Sequence, residues 1–363
     1  VTPRRQYDET DVRIRPGKGS RPRTKQRPEH ADAQRAMVTG VDRGRYAVLV
    51  DADGPHERRA VAMKARELGR ERVVPGDLVD LVGDTSGGTG TLARIVRIVE
   101  RRTVLRRTAD DTDPVERVIV ANADQLVVVT ALADPEPRTR MIDRCVAAAY
   151  DAGMDVLLAL TKSDLADPAE LVGLYSPAGV RTVVTRTDEH RDASGHRTIH
   201  GLDALRAALA GRTSVLVGHS GVGKSTLVNA LVPAAQRATG AVNEVTGRGR
   251  HTSTSAIALR VPDEPVPTWV IDTPGVRSFG LAHVDPDHLL HAFADLGEAS
   301  DERCPRGCTH AADAPDCGLD DWVDDARTDD ERAARTARVD SFRRILASRL
   351  GTADAEPSSS TAP

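Results

Sequence analysis

Gly218-His219-Ser220-Gly221-Val222-Gly223-Lys224-Ser225 is a complete phosphate-binding loop: a glycine, four residues, then Gly-Lys-Ser. The apolar run Val215-Leu216-Val217 leads into it and the helical run Thr226 to Leu231 leads out, so strand, loop and helix follow in the order such a site requires. Backbone N–H groups of the loop converge on phosphate oxygens, and the helix N-terminus adds partial positive charge. Lys224 is expected to reach the β- and γ-phosphates, and Ser225 to place its hydroxyl on Mg²⁺. His219 reads as a permissive loop position rather than a catalyst. Thr226 completes the nucleotide-binding stretch.

Upstream of the loop, the apolar run Val156-Leu160 ends in Thr161-Lys162-Ser163-Asp164, which matches the guanine-recognition element Asn/Thr-Lys-x-Asp. The Asp164 carboxylate would accept the N1–H and N2 amino protons of guanine. Adenine offers an acceptor where a donor is needed, and a site built for such bonds can reject the wrong partner by about 10⁴-fold. Lys162 would lay its aliphatic stem over the base. Downstream, Asp272-Thr273-Pro274-Gly275 follows the strand Trp269-Ile271. Asp272 is expected to hold Mg²⁺ through water, and the Gly275 N–H to contact the γ-phosphate, so this turn can sense hydrolysis. Between them lies Gly247-Arg248-Gly249-Arg250-His251-Thr252-Ser253-Thr254, with Thr252 the candidate second hydroxyl ligand on Mg²⁺ and Thr254 the alternative. An ordinary small GTPase opens with its phosphate loop and carries the guanine motif late. Here the guanine motif precedes the loop, so the domain is circularly permuted.

The flanks have their own chemistry. The chain of 363 residues has room for two or three domains, and with only 2 % aromatic residues its cores must be aliphatic. Residues 1–35 are proline-rich and hold Arg13, Arg15, Lys18, Arg21, Arg23, Lys25 and Arg27, which predicts a disordered basic arm able to neutralise nucleic-acid phosphates. Residues 36–107 show five short β-type runs separated by Asp53-Gly54-Pro55, Pro75-Gly76-Asp77 and Gly87-Gly88, which suggest a barrel of the oligonucleotide-binding (OB-fold) type. Arg94, Arg97, Arg101, Arg102, Arg106 and Arg107 are expected to extend its positive surface, and Tyr46 alone among its strand residues is placed to stack on a base. Residues 108–282 alternate strands and helices, as in a parallel sheet covered on both faces.

Residues 283–350 carry Cys304-x₃-Cys308-x-His310-x₆-Cys317, three thiolates and an imidazole suited to one structural zinc ion. With all four positions filled by protein, no open site is left for zinc catalysis. Cys145 is expected to be a buried core residue. Trp322, Phe342, Ile345 and Leu346 read as helix faces packing beside the zinc loop, and Arg332, Arg335, Arg338, Arg343 and Arg344 as a basic solvent face. Residues 351–363 read as a disordered tail. No apolar run approaches the ~18 residues of a membrane span and the N-terminal arm lacks a signal-peptide core, so a cytoplasmic protein that meets no membrane is expected.

Taken with the barrel, Ala121-Asn122-Ala123-Asp124-Gln125, TKSD, GHSGVGKST, GRGRHTST, IDTPGVRSFGL and the Cys/His cluster, the chain resembles the bacterial ribosome-small-subunit-dependent GTPase family, RsgA or YjeQ. The resemblance spans residues 36 to about 345. It implies GTP and GDP as ligands, the small ribosomal subunit and its rRNA as partners of a monomer, and a role in late subunit maturation and factor release. Many GTPases place Gln just after the Asp-x-x-Gly turn to orient water. Val276 stands there instead, so intrinsic hydrolysis is expected to be slow, with His251 the candidate catalytic group once a ribosomal partner orders its segment. An RNA-binding assembly scaffold with a largely non-hydrolysing nucleotide site is the alternative. TKSD argues against a third class, a small-molecule kinase or ATPase.

Overall fold

The computed structural model describes residues 30–107, 117–191, 197–233, 256–274 and 284–349, together with Ala235, Phe279 and Leu281. The expected basic arm, but for its last residues, and the expected tail lie outside the described residues.

Five strands, β1 (Gln34–Asp42), β2 (Arg45–Val50), β3 (Arg58–Lys64), β4 (Leu78–Gly83) and β5 (Ala93–Ile98), close a barrel in the order β1-β2-β3-β5-β4 and back to β1. Alternation along the strands sends Ala36, Val38, Val48, Ala60, Ala62, Leu81 and Ile95 inward, where mostly small aliphatic residues fill a narrow interior. Tyr46 belongs to this interior at 8 % exposure, so the expectation that it stacks on a base is corrected: period-two alternation turns it toward the core. The expected positive surface is also smaller than the arginine count suggests. Arg97 pairs with buried Asp80, and Arg101 pairs at 2.7 Å with fully buried Asp77.

A ribbon of β6 (Val104–Arg107) and β7 (Arg117–Ala121) leads into the second layer. There β8 (Gln125–Ala131), β9 (Asp155–Thr161), β10 (Arg181–Val184), β13 (Thr213–Gly218) and β15 (Trp269–Asp272) pair in parallel in the order β10-β9-β8-β13-β15, and β14 (Ile257–Arg260) adds antiparallel at the edge. Every residue of β8 is buried. Leu126 and Val128 join the core under α1 (Thr139–Asp151), while Val127 and Val129 join the core under α3 (Leu202–Leu209) and α4 (Lys224–Leu231). This two-faced burial is why the strand reads as an unbroken apolar run. A further helix, α2 (Ala169–Tyr175), and a hairpin of β11 (Arg186–Arg191) with β12 (Arg197–His200) complete the layer.

The barrel and this sheet are continuous. A register shift between Val38 and Gly40 bends β1, so that its first half pairs with β4 while Gly40 pairs with Ile257 of β14. A second joint forms where Asn122 Nδ2 donates to the Gly76 carbonyl at 2.9 Å and Asn122 Oδ1 accepts from the Arg102 N–H at 2.8 Å. Gly76 sits at φ +86°, and a Cβ there would come within 2.0 Å of the Ala121 carbonyl oxygen. Gly76→Ala is expected to cost about 2–3 kcal/mol, from a left-handed backbone and a backbone clash together. Thermal unfolding reads this as a lowered midpoint, and an unchanged midpoint would count against the joint.

The C-terminal helices are α5 (Pro286–His291), α6 (Ala294–Arg303), α7 (Gly318–Asp324) and α8 (Asp329–Arg349). Asp285 caps α5 by accepting from the Asp287 N–H, with Pro286 in the first turn. These helices share the core of the parallel sheet: Phe342 of α8 meets Phe293 edge-on, and Phe293 meets Tyr150 of α1, both with ring centroids 5.6 Å apart. Phe342, Ile345 and Leu346 are buried as expected. The basic solvent face on α8 is not what forms. Arg338 chelates Asp295, Arg343 chelates Asp320, Arg344 pairs with Asp143, Arg335 stacks on Trp322, and Arg332 pairs with Asp324. Acidic residues on α1, α6 and α7 face this helix, so most of its arginines tie the C-terminal helices to one another, while Arg344, through Asp143 and the Leu174 carbonyl, and Arg338, through the Pro177 carbonyl, tie them to the elements beside the sheet.

Candidate functional site

The parallel strands β8, β9, β13 and β15 end at one edge of the sheet, which gathers the sequence motifs there. The loop after β13 approaches β8 so closely that a Cβ on Gly218 would lie 2.5 Å from the Val129 carbonyl oxygen. Gly223, at φ +90°, turns the chain into α4, so Lys224 opens that helix. Val222 is buried beneath the loop, His219, Gly223 and Lys224 are half-buried, and Ser220, Gly221, Ser225 and Thr226 are exposed.

Thr161 links the two motifs directly. Its hydroxyl, buried at the end of β9, donates to the Val222 carbonyl inside the phosphate loop at 2.7 Å. A small β-branched hydroxyl suits this position, since it ends a buried strand and still satisfies a loop carbonyl. Lys162, at φ +57°, extends its ammonium to the Asp134 carbonyl, and Asp164 is exposed two residues beyond. Across the loop, β15 aligns Asp272 with Leu216, and the Thr273 hydroxyl donates to the Leu216 carbonyl at 2.8 Å. Lys224 Nζ and Asp272 Oδ1 form an ion pair in which the two side chains are only 13 % and 20 % exposed. Thr161, Lys162, residues 218–226 and Asp272 are thus brought to one edge. His251, Thr252, Thr254, Gly275 and Val276 lie outside the described residues.

Two features of this edge escaped the sequence. The turn after β8 carries Asp134, which receives Lys162, and Pro135, whose Cδ lies 3.8 Å from the position of a Cβ on Gly221. No motif marks that turn. The other is Arg144, a buried residue of α1 that donates to the Phe279 carbonyl through Nε (3.0 Å) and Nη2 (2.6 Å), and to the Ser348 carbonyl of α8 through Nη1 (3.1 Å). Phe279 is fully buried seven residues after Asp272. The signal for this latch was the charged pair Asp143-Arg144 inside an otherwise apolar helix face.

In the C-terminal unit, donor atoms of Cys304, Cys308, His310 and Cys317 all lie within 4.8 Å of one another. Nδ1 of His310 is 3.5 Å from Cys304 Sγ and 4.0 Å from Cys317 Sγ. The edges of a tetrahedron with zinc–sulfur bonds of about 2.3 Å and zinc–nitrogen bonds of about 2.0 Å are about 3.5–3.8 Å, so this donor set fits zinc with small contraction. Burial lowers the His310 pKa and favours the neutral imidazole that ligates metal. Burial likewise pushes the Cys317 thiol up to about 11, so a thiolate there needs a cation beside it. Arg343 Nε donates to the His310 carbonyl at 3.3 Å, holding the loop against α8. Cys145, the remaining cysteine, is buried at 2 % exposure with its thiol raised to about 12 by desolvation.

Comparison with known proteins agrees with this geometry. Residues 98–282 match the family model described as RsgA GTPase. A protein of Alcanivorax borkumensis named Small ribosomal subunit biogenesis GTPase RsgA is 34 % identical over 315 residues, covering 85 % of this chain and 84 % of that one. The crystal structure of YjeQ from Thermotoga maritima superposes with a TM-score of 0.60 at 23 % identity, covering 88 % of this chain and all of the other. That of YloQ, described as a circularly permuted GTPase, does so with a TM-score of 0.58 at 20 % identity, covering 89 % and 97 % of the two chains. On the matched family model and the extent of the sequence identity, the chain belongs to the RsgA GTPase family.

Proposed function

We propose that this GTPase binds GTP at the edge formed by β8, β9, β13 and β15 and couples its hydrolysis to binding and release of the small ribosomal subunit late in maturation. The hydrogen bond from Thr161 to Val222 carries the assignment of the nucleotide, because it fixes the guanine motif to the phosphate loop. In this reading Asp164 accepts from guanine, Lys162 covers the base, and residues 218–226 cradle the phosphates. Lys224 moves its charge from Asp272 to the β- and γ-phosphates. Ser225, Thr252 and Asp272 hold Mg²⁺, which neutralises charge developing on the phosphates. Gly275 senses the γ-phosphate, and the Arg144 latch ties the following segment to α8.

Asp164→Ala is expected to bring GTP and ATP affinities within about tenfold of each other, from about 10⁴-fold apart in the parent. Competition binding with both nucleotides reads this directly. Equal affinities in the parent protein would overturn the guanine assignment.

The partner is inferred from the relatives' names, together with exposed arginines such as Arg94 and Arg102 near the barrel. We read residues 36–107, 108–282 and 283–350 as its three modules, the last holding one zinc ion, and the protein as a cytoplasmic monomer that contacts rRNA. Among the described residues no helix is long and apolar enough to cross a membrane. GTP turnover measured with and without small subunits at several salt concentrations tests the coupling. Stimulation that fades with salt is expected, because phosphate contacts release counterions. A His251→Ala variant is expected to lose that stimulation. Turnover that ignores the subunit would favour the scaffold alternative.

A further inference from the structure

Where the barrel meets the GTPase sheet, the outer face of the strands forms the floor of a cavity of about 750 Å³. On β2 and β3 the residues alternate with the barrel core, so Ala47 and Val61, paired across the two strands, face outward together with Leu49 and Arg59, also paired. The Gly40–Ile257 bridge carries this face onto β14, and Trp269 of β15 closes the far wall. The loop from Gly87 to Leu92 forms another wall. The volume lies within the ~300–1,000 Å³ of small-molecule sites.

The charges lining this cavity are Arg45, Arg59, Arg260, Asp42 and Glu57, one net positive charge. Arg260 is engaged: it pairs with Glu57 at 3.0 Å and Asp53 at 3.2 Å, with its guanidinium 6.0 Å from the centre of the Trp269 ring. Arg45 and Arg59 make no ion pair with any described residue, and both are exposed. Asp42 lies opposite Arg45 across the hairpin and offsets its charge, which leaves Arg59 as the stronger anion seat. The indole N–H of Trp269, 6 % exposed, is a buried polar group with no acceptor among the described residues. The N–H is itself shut off from the cavity, so the apolar floor and the unpaired Arg59 guanidinium define the chemical class.

We propose that this cavity binds a small amphipathic organic monoanion, its apolar body on Ala47, Leu49, Val61 and Trp269 and its acidic group at Arg59 with Arg45. The ligand spans both modules, touching β2 and β3 of the barrel and β15 of the GTPase sheet. It is separate from the nucleotide edge, so the two sites fill independently.

The probe is 1-anilinonaphthalene-8-sulfonate, an aromatic body with one sulfonate. It is titrated into the full chain carrying Trp322→Phe, which leaves Trp269 the sole tryptophan of the two in the sequence. Saturable one-to-one binding that quenches Trp269 is expected, unchanged by saturating GDP. Arg59→Gln is expected to weaken it about tenfold, and Arg45→Gln less, since a charge-assisted contact is lost in each. N-phenyl-1-naphthylamine, the same body without the sulfonate, is expected to bind at least about tenfold more weakly and to ignore Arg59→Gln. Ala47→Phe, which fills the floor, is expected to abolish binding. Absence of binding, displacement by GDP, equal affinity for the two probes, or insensitivity to Arg59→Gln would each overturn the proposal. The arginine variant changes an exposed side chain, so it answers even if Ala47→Phe fails to fold.

Discussion

Lys224→Ala is expected to lower kcat/KM for GTP by about 10²- to 10³-fold, the loss typical when one preorganised donor to a developing negative charge is removed. The ammonium is held between the loop and β15, 13 % exposed and paired with Asp272, so little reorganisation is needed to present it to a phosphate. Its interaction grows as charge shifts during phosphoryl transfer, which places most of the effect on turnover rather than on ground-state binding. The substitution also leaves the Asp272 carboxylate beside the triphosphate with one fewer cation. Asp272→Asn, combined with Lys224→Ala, is therefore expected to recover part of the GTP affinity while turnover stays low. Single-turnover hydrolysis and nucleotide binding separate the two effects. Turnover within a few-fold of the parent would remove Lys224 from the chemistry.

The second large effect concerns the four donors Cys304, Cys308, His310 and Cys317. One zinc ion per chain is expected by elemental analysis, and none in Cys317→Ser. Structural zinc commonly contributes on the order of 10 kcal/mol to folding of the module it closes. Here α8 also packs on the GTPase core through Phe342 and Ile345, so only part of that is lost and a fall in melting midpoint of about 10 °C is expected. Chelation of the parent should reproduce the shift, and added zinc should reverse it. Because Arg343 holds the His310 carbonyl and Asp320, disorder in the zinc loop reaches α8 first. An unchanged midpoint after complete chelation would show that the cluster is not a structural support.

The segment around Phe279 shows why these two regions belong together. Phe279, seven residues after Asp272 and fully buried, is joined to α8 because Arg144 holds the Phe279 and Ser348 carbonyls with one guanidinium. A planar fork with several donors can satisfy two buried carbonyls from different elements, which a lysine cannot do in the same geometry.

Some of this was legible in the residues alone. The stretch Gly218–Ser225, TKSD and DTPG stand out in the sequence because a site for phosphate and guanine would impose strict backbone and donor requirements over a few consecutive positions. The strands of the barrel and sheet were legible from alternation and unbroken apolar runs, which are local consequences of burial on one face or two. The Cys/His cluster was legible because few residue types bind zinc. Contacts between distant segments were not. The antiparallel addition of β14, the bend in β1 that joins barrel to sheet, the inward turn of Tyr46 and the ion pairs that occupy the α8 arginines each depend on what packs opposite. A run of arginines looks the same in sequence whether its carboxylates are absent or lie on α1, α6 and α7. The phosphate-loop sequence alone determined that this protein handles a nucleotide, through local chemistry. Tertiary structure alone decided how that loop meets Thr161, Asp272 and the helices behind them, because those contacts join residues tens to hundreds of positions apart.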